Sequence, residues 1–533
     1  PDQPPKGPTR TSQEKLGRPA TTDCPRSGAM TKISPKNLNR VDPRIEANAL
    51  APGGDSIKAK GVRERGEVMT GRRLSVLQTG YLQAEDADGH VSLALAALAV
   101  LEGPAPDMPT LLTVLEERTA GLPRCREVLH EVPMSLAAPQ WVVDRSFDIT
   151  HHVRQVTVAA PGDDAAVFAV VGQAMERRLD RSRPLWECWV IDGLAGNQWA
   201  ILIKIHHSIA DGIAASAMLE RICDDAAAVV PVAEQTRPAT DSGHAWSLNP
   251  LDWLRSAVQV STDASRTALR VATGATELAS ALFASTPRSY TGPLSDLRRY
   301  SAARVRLADV RMVSERLGVT INDVALAAVA DSFRSAMLRR GHTPRAHSLR
   351  TAVPVSLRTP DALHIPDNRI AVTLPQLPVE YADPLRRLQA VHERMTAVKS
   401  GGQISAGALA VAAAGLLPYA VTAPVVRLLS RLPQRGVVTV ATNVPGPRRR
   451  LKFAGHDIQA LLPVPPIAVH LRTGIAILSY DDELVFGVIA DADSPVGPDE
   501  LARGIEAGVA HLVSIAAAAR HSRRLGNLLL LAG

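Results

Sequence analysis

Aromatic side chains are scarce, with 6 Trp, 6 Tyr and 6 Phe in 533 residues, so aliphatic side chains and alanine have to build the core. Cysteine is rarer still. Cys24, Cys125, Cys188 and Cys223 stand without Cys-x-x-Cys spacing, which argues against a disulfide framework or a zinc ribbon and fits free thiols in a reducing compartment. The first 70 residues lack an apolar stretch long enough for a secretory signal. They carry 13 Lys+Arg against 8 Asp+Glu, or +5 of the formal net charge of +7, which leaves about +2 for the rest. A nearly balanced body with no basic stripe and no recognisable binding module argues against nucleic acid as a partner. There is no Gly-x-Ser-x-Gly elbow either, so the sequence gives no sign of a serine acyl-enzyme.

What is present points to a globular chain of two or three domains, with 46% hydrophobic and 21% charged residues. Its chemistry gathers at residues 199–224. The apolar run Ala200–Ile205 predicts a buried strand, and Met218, Leu219, Ile222 and Cys223 on one face predict the helix that follows. Between them lie His206, His207, Asp211 and Gly212. A neutral imidazole accepts a hydroxyl or thiol proton at neutral pH. Alternate strand residues face opposite ways, so the two histidines cannot share one cleft. We assign His207 to the cleft as the proton acceptor and His206 to the packing behind it. Asp211 is expected either to fix the imidazole tautomer or to pair with an arginine, and Gly212 to leave room at the turn. A metal site is not expected from such divergent neighbours. The second pair, His151-His152, is given no role.

His206-His207-x-x-x-Asp211-Gly212 resembles the HHxxxDG signature of the CoA-dependent acyltransferase superfamily. The chain is further similar to the bacterial wax ester synthase/diacylglycerol acyltransferase family in several blocks, in order. These are Arg73-Leu74-Ser75, Phe147-Asp148, Leu179 through Pro184-Leu185-Trp186-Glu187, Ile321-Asn322-Asp323-Val324, Pro354 through Arg358, and Asn443 through Pro447, within a span of about residues 69–515. Two positions depart from the family pattern: Arg178 stands where proline is usual, and Asp367 replaces glycine before Asn368.

The resemblance implies an α/β fold of two chloramphenicol-acetyltransferase-like subdomains with an active-site tunnel between them. It implies long-chain acyl-CoA as co-substrate, no other cofactor, and diacylglycerol or a long-chain alcohol as acceptor. It also implies supporting roles for Asn322 and Asp323. Local sequence gives a competing reading of that pair, the N-cap of a helix over Val324–Leu338. Pro184, Leu185 and Trp186 read as structural, with proline setting the strand entry and tryptophan adding apolar area. The first expectation for function is a diacylglycerol acyltransferase. The alternatives are a wax ester synthase and a catalytically silent lipid-binding protein of the same fold, which the intact His-His-x-x-x-Asp-Gly opposes. Such an enzyme is expected in the cytoplasm, peripherally on the membrane's inner face or on lipid inclusions.

Along the chain, residues 1–68 read as a disordered basic tail, with Met69 resembling the family's usual start. The N-terminal acyltransferase subdomain is expected over 69–235, a linker and crossover helix over 236–289, and the C-terminal subdomain over 290–533. Strands are expected at Leu93–Leu101 and Trp186–Ile191, helices at Thr110–Arg118 and Asp164–Leu179, and a turn-rich connection at Asn443–Pro447. A hairpin pairing Ile475–Tyr480 with Leu484–Ile489 and a closing helix over Pro498–Ala519 complete the reading. Ile404–Val426 is uncharged over 23 residues, but its alanines and two prolines favour buried or interfacial helices over a membrane span.

Overall fold

The computed structural model describes residues 72–131, 137–224, 290–356, 370–400, 419–420, 422–424, 427, 436–447, 449–468 and 470–518. The predicted tail, linker and crossover helix lie outside these residues, as do Arg358, Asp367, Asn368 and most of 404–426. In chain order the first run of elements is β1 (Arg72–Arg73), α1 (Val76–Ala87), β2 (Ala94–Glu102), α2 (Met108–Ala120), β3 (Glu127–His130), β4 (Gln140–Val143), β5 (Val153–Thr157), α3 (Asp164–Glu176), β6 (Trp186–Leu194), β7 (Gln198–His206) and α4 (Gly212–Ile222). The second run opens with β8 (Arg298–Arg306), α5 (Leu307–Leu317), α6 (Ile321–Arg339), β9 (Thr351–Ser356), β10 (Ile370–Thr373) and α7 (Pro384–Ser400). It closes with β11 (Thr439–Val444), β12 (Lys452–Phe453), β13 (His456–Val464), β14 (Thr473–Tyr480), β15 (Glu483–Asp491) and α8 (Pro498–Ala518).

Two six-stranded sheets organise these elements, in the orders β12-β13-β2-β7-β6-β5 and β10-β9-β11-β14-β15-β8, beside a small β1-β4-β3 sheet. The apolar strands β2 and β7 pair antiparallel from Ala94↔His206 to Glu102↔Gln198, which sets the first histidine at the strand's end. The predicted hairpin is β14–β15, closed by Tyr480↔Glu483 with Asp481 at φ 52°. Buried Lys204 donates to the Ala174 and Arg177 carbonyls at the C-terminal end of α3, tying that helix to β7.

Residues 452–464 are an unexpected feature. They fall in the expected C-terminal subdomain, yet β13 pairs with β2 from Ile458↔Leu101 to Val464↔Ala96 and so extends the sheet that carries His206. The two halves share a sheet. At the far end of β13, the Pro463 carbonyl accepts from Tyr300 Oη at 3.0 Å, and a Cβ on Gly487 of β15 would meet that oxygen at 1.6 Å. Only a glycine lets the crossing strand come so near.

Each sheet has its own core. One gathers the β2, β6 and β7 side chains with α2, α3 and α4. The other packs α5, α6 and α8 against β8, β14 and β15. Helix α8 is long and apolar enough to cross a bilayer, but its Leu501, Ile505, Val509 and Leu512 are buried in this second core.

Candidate active site

The alternation of β7 decides where each histidine goes. Ile203, Ile205 and His207 line a cavity on one side of the sheet, while Lys204 and His206 are buried away from it. The main chain at this point is held from both neighbouring strands. The His206 N–H donates to the Leu185 carbonyl and the His207 N–H to the Leu93 carbonyl, both at 3.0 Å. A tight turn follows, with Ile209 N–H donating to the His206 carbonyl at 2.9 Å, and Asp211 then starts α4 as its N-cap by accepting from Ala214 N–H at 3.0 Å. One Asp211 carboxylate oxygen is thus committed to the helix start. The structure places the carboxylate where its charge acts on His207.

His206 packs behind the turn, as its strand position predicts. Its Nδ1 accepts from Ser208 N–H at 3.1 Å and lies 2.7 Å from Ser208 Oγ, so the ring proton sits on Nε2, which is 3.2 Å from Glu85 Oε1. Glu85 also accepts from Leu93 N–H at 2.7 Å and pairs with Arg181 at 3.1 Å. Burial pushes this carboxyl up, but the hydrogen bonds from His206 and Leu93 and the charge of Arg181 outweigh it and hold it at about 2.

His207 has the opposite surroundings. Burial pushes its imidazole down to about 4, against the pull of its own main-chain carbonyl and of Asp211, both of which favour the charged ring. A neutral imidazole keeps one ring nitrogen with a free lone pair, which serves as the proton acceptor. At neutral pH the ring is neutral. The cavity it lines encloses about 170 Å³ between the two sheets. Leu95, Ala97 and Trp186 line it from the first sheet, Thr442, Val444 and Leu478 from the second, and Gly212 and Met218 from α4. A Cβ on Gly212 would come within 2.7 Å of Val444 Cγ2, so this glycine lets the start of α4 approach the end of β11.

The supporting residues fall into two groups. Pro184, Leu185 and Trp186 are buried beside β7. The Leu185 carbonyl holds His206, while the Trp186 indole lines the cavity and donates to the Cys125 carbonyl at 3.0 Å. His152, given no role from sequence, is a packing residue between Phe147 and Trp186, with Nδ1 2.8 Å from the Trp186 carbonyl. The second group corrects the capping expectation: α6 begins at Ile321 with Thr320 as its N-cap. Thr320 Oγ1 accepts from Asp323 N–H, and Asp323 Oδ2 accepts from Thr320 N–H, a reciprocal pair that puts Asp323 inside the first turn. His392 Nδ1 stands 2.8 Å from the same carboxylate oxygen. Asn322 Oδ1 accepts from Asn443 Nδ2 at 3.1 Å, and Asn443 lines the cavity. Asn443 itself lies within strand β11, one residue from its end, because β11 pairs with β14 through Val444↔Leu478.

Sequence reasoning missed α1. Its Gln78, Tyr81 and Glu85 all reach the histidine turn, and the signature Ser75-x-x-Gln78, a capping box in the structure, marks its start. Arg178, which departs from the family pattern, has a place here: it donates to the Val91, Glu85 and Asp88 main-chain carbonyls and fastens the end of α1.

The family model described as the wax ester synthase/diacylglycerol acyltransferase catalytic domain matches residues 74–325, and the family's C-terminal domain matches residues 367–512. The probable diacylglycerol O-acyltransferase tgs1 of Mycobacterium tuberculosis is 48% identical over 460 residues, covering 85% of this chain and 98% of its own. A putative diacylglycerol O-acyltransferase of that organism is 42% identical over 448 residues, covering 83% and 91%. Among solved structures, the wax ester synthase/diacylglycerol acyltransferase from Marinobacter aquaeolei VT8 superposes with a TM-score of 0.59 at 23% identity, covering 84% of this chain and 100% of that one. The starter condensation domain of rhizomide synthetase gives 0.53 at 16%, covering 87% and 98%. At these identities the structural likeness is one of fold, and it is the two-subdomain α/β fold expected from sequence. The chain belongs to the wax ester synthase/diacylglycerol acyltransferase family.

Proposed function

We propose that the protein is an acyl-CoA:diacylglycerol O-acyltransferase, converting long-chain acyl-CoA and 1,2-diacylglycerol to triacylglycerol and CoA with His207 as general base. The observation that carries this is a half-buried, neutral imidazole in the wall of an apolar cavity between two subdomains. His207 takes the acceptor's hydroxyl proton, and the oxygen attacks the thioester carbonyl. The tetrahedral intermediate expels the CoA thiolate, and His207 returns the proton to the sulfur. General-base transfer accounts for about 10²–10⁴-fold. Holding both substrates in one water-poor cavity supplies further acceleration through positioning. Direct transfer needs no acyl-enzyme, in keeping with the missing serine elbow.

Diacylglycerol is preferred as acceptor because relatives at 48% and 42% identity carry that activity in their names. A long-chain alcohol, giving a wax ester, is the second reading, because the matching family is named for both activities. Separating the products of labelled palmitoyl-CoA supplied with dipalmitoylglycerol and hexadecanol together tests this choice. Mainly labelled triacylglycerol supports the first reading, and mainly palmityl palmitate overturns it in favour of the second. Both acceptors partition into lipid, so we further propose a cytoplasmic enzyme held peripherally on the membrane's inner face or on lipid inclusions. Alkaline carbonate should then release it from membranes, and retention in the pellet would contradict a peripheral seat.

A further inference from the structure

Helix α1 does not line the cavity, yet one of its faces grips the turn that carries His207. Gln78, Tyr81 and Glu85 recur at i, i+3 and i+7, which places them on a single helical stripe. Gln78 Nε2 donates to the Ser208 carbonyl at 3.0 Å. Glu85 holds both His206 and the Leu93 N–H, and the Leu93 carbonyl in turn accepts from His207 N–H. Between these two anchors the Tyr81 ring lies against the His207 imidazole, with centroids 4.4 Å apart and planes 30° from parallel.

We propose that Tyr81 is a positioning residue for acyl transfer: its ring backs the His207 imidazole on the side away from the cavity, fixing the base's orientation and keeping water from it. The inference rests on His207 being the base.

The charges around the imidazole show why such a backing matters. Asp211, in the turn itself, favours the protonated ring, and His206 opposes it. From α1, the Tyr81 phenol carries no charge at any ordinary pH, because burial and the nearby Asp211 both push its ionisation upward. The Glu85 carboxylate is engaged by His206, Leu93 and Arg181. Leu93, just before β2, presents a main-chain carbonyl, and β11 brings Asn443 and Val444, both uncharged, to the same cavity. The nearest carboxylate therefore pulls toward the imidazolium, which cannot accept a proton. Exclusion of water opposes that pull, and the Tyr81 side chain is in direct ring contact.

The test compares the full chain with Tyr81→Phe and Tyr81→Ala, measuring kcat and kcat/KM from pH 4 to 9 with palmitoyl-CoA and diacylglycerol. Tyr81→Phe keeps the ring and should leave the acid limb in place. Tyr81→Ala should move that limb upward, toward the ordinary histidine value of about 6.5, and lower kcat at pH 7 by roughly tenfold through lost positioning. KM for palmitoyl-CoA should hold, because Tyr81 does not line the cavity. An acid limb unmoved in Tyr81→Ala, whatever its melting temperature, would overturn the proposal and leave Tyr81 a packing residue. If that variant does not fold, Tyr81→Gln, which keeps the bulk but sets a hydrated group against the ring, is read the same way. Full activity in His207→Ala would instead remove the base itself, a failure distinct from an intact limb that Tyr81 variants do not shift.

Discussion

One peptide bond separates His206 from His207, and their surroundings give them different tasks. His206 carries its ring proton toward a buried carboxylate, while His207 is kept neutral beside an apolar cavity. The carboxylate is Glu85, and its pairing makes a prediction about stability. Its folded carboxyl is held at about 2 against an ordinary 4.5, so the unfolded chain binds its proton first as the pH falls. The stabilisation is complete above about pH 4.5 and is lost as the pH drops toward 2. Glu85→Ala should therefore cost on the order of 3 kcal/mol at pH 7, the usual penalty for orphaning the partners of a buried pair. The deficit should shrink in acid, and thermal melts at pH 7 and pH 3 measure it. An equal deficit at both would contradict the pairing. At this scale the sequence was partly legible. The two-residue period of a strand separates the histidines without any structure, whereas Glu85 and Tyr81 lie more than a hundred positions upstream and only the packing of α1 brings them in.

Among the elements, strands with continuous apolar runs were the most legible, because burial on both faces leaves them few alternatives. β2, β6 and β7 lie where their composition predicts. The start of α6 was misread by three positions, since Asn322-Asp323 looks like a cap until Thr320 is seen to make the bond. Helix α1 was overlooked because its inward stripe is polar, with Gln78, Gln83 and Glu85 all buried. A search for apolar periodicity passes over such a helix. The junction of α4 with β11 gives the prediction proper to this scale. Gly212→Ala should press Val444 and cost about 1–3 kcal/mol, the range for an overpacked site, with a fall in kcat because both residues line the cavity. Adding Val444→Ala should recover part of both losses. A double variant as impaired as Gly212→Ala would show that the close approach is not the reason for the glycine.

For the whole molecule, the two sheets together make the cavity, and neither half of the sequence closes it alone. Strand β13 comes from the second half and pairs with β2 in the first, and its Pro463 also meets Tyr300 and Gly487 of the second sheet. No local pattern announces that crossing, because the partner of β13 lies more than 350 positions away. The family blocks nevertheless converge: Trp186, His207, Gly212, Pro354 and Asn443 line one space. That convergence makes the central claim, a histidine base at the meeting of two substrates, open to direct test. The measurement is the rate of labelled ester formation from palmitoyl-CoA by the full chain and by His207→Ala, each supplied with diacylglycerol and with hexadecanol and each checked for an unchanged circular dichroism spectrum and melting transition. The account predicts ester from the native chain and a loss of at least 10²-fold in a folded His207→Ala. A folded His207→Ala that makes ester at the native rate would contradict it.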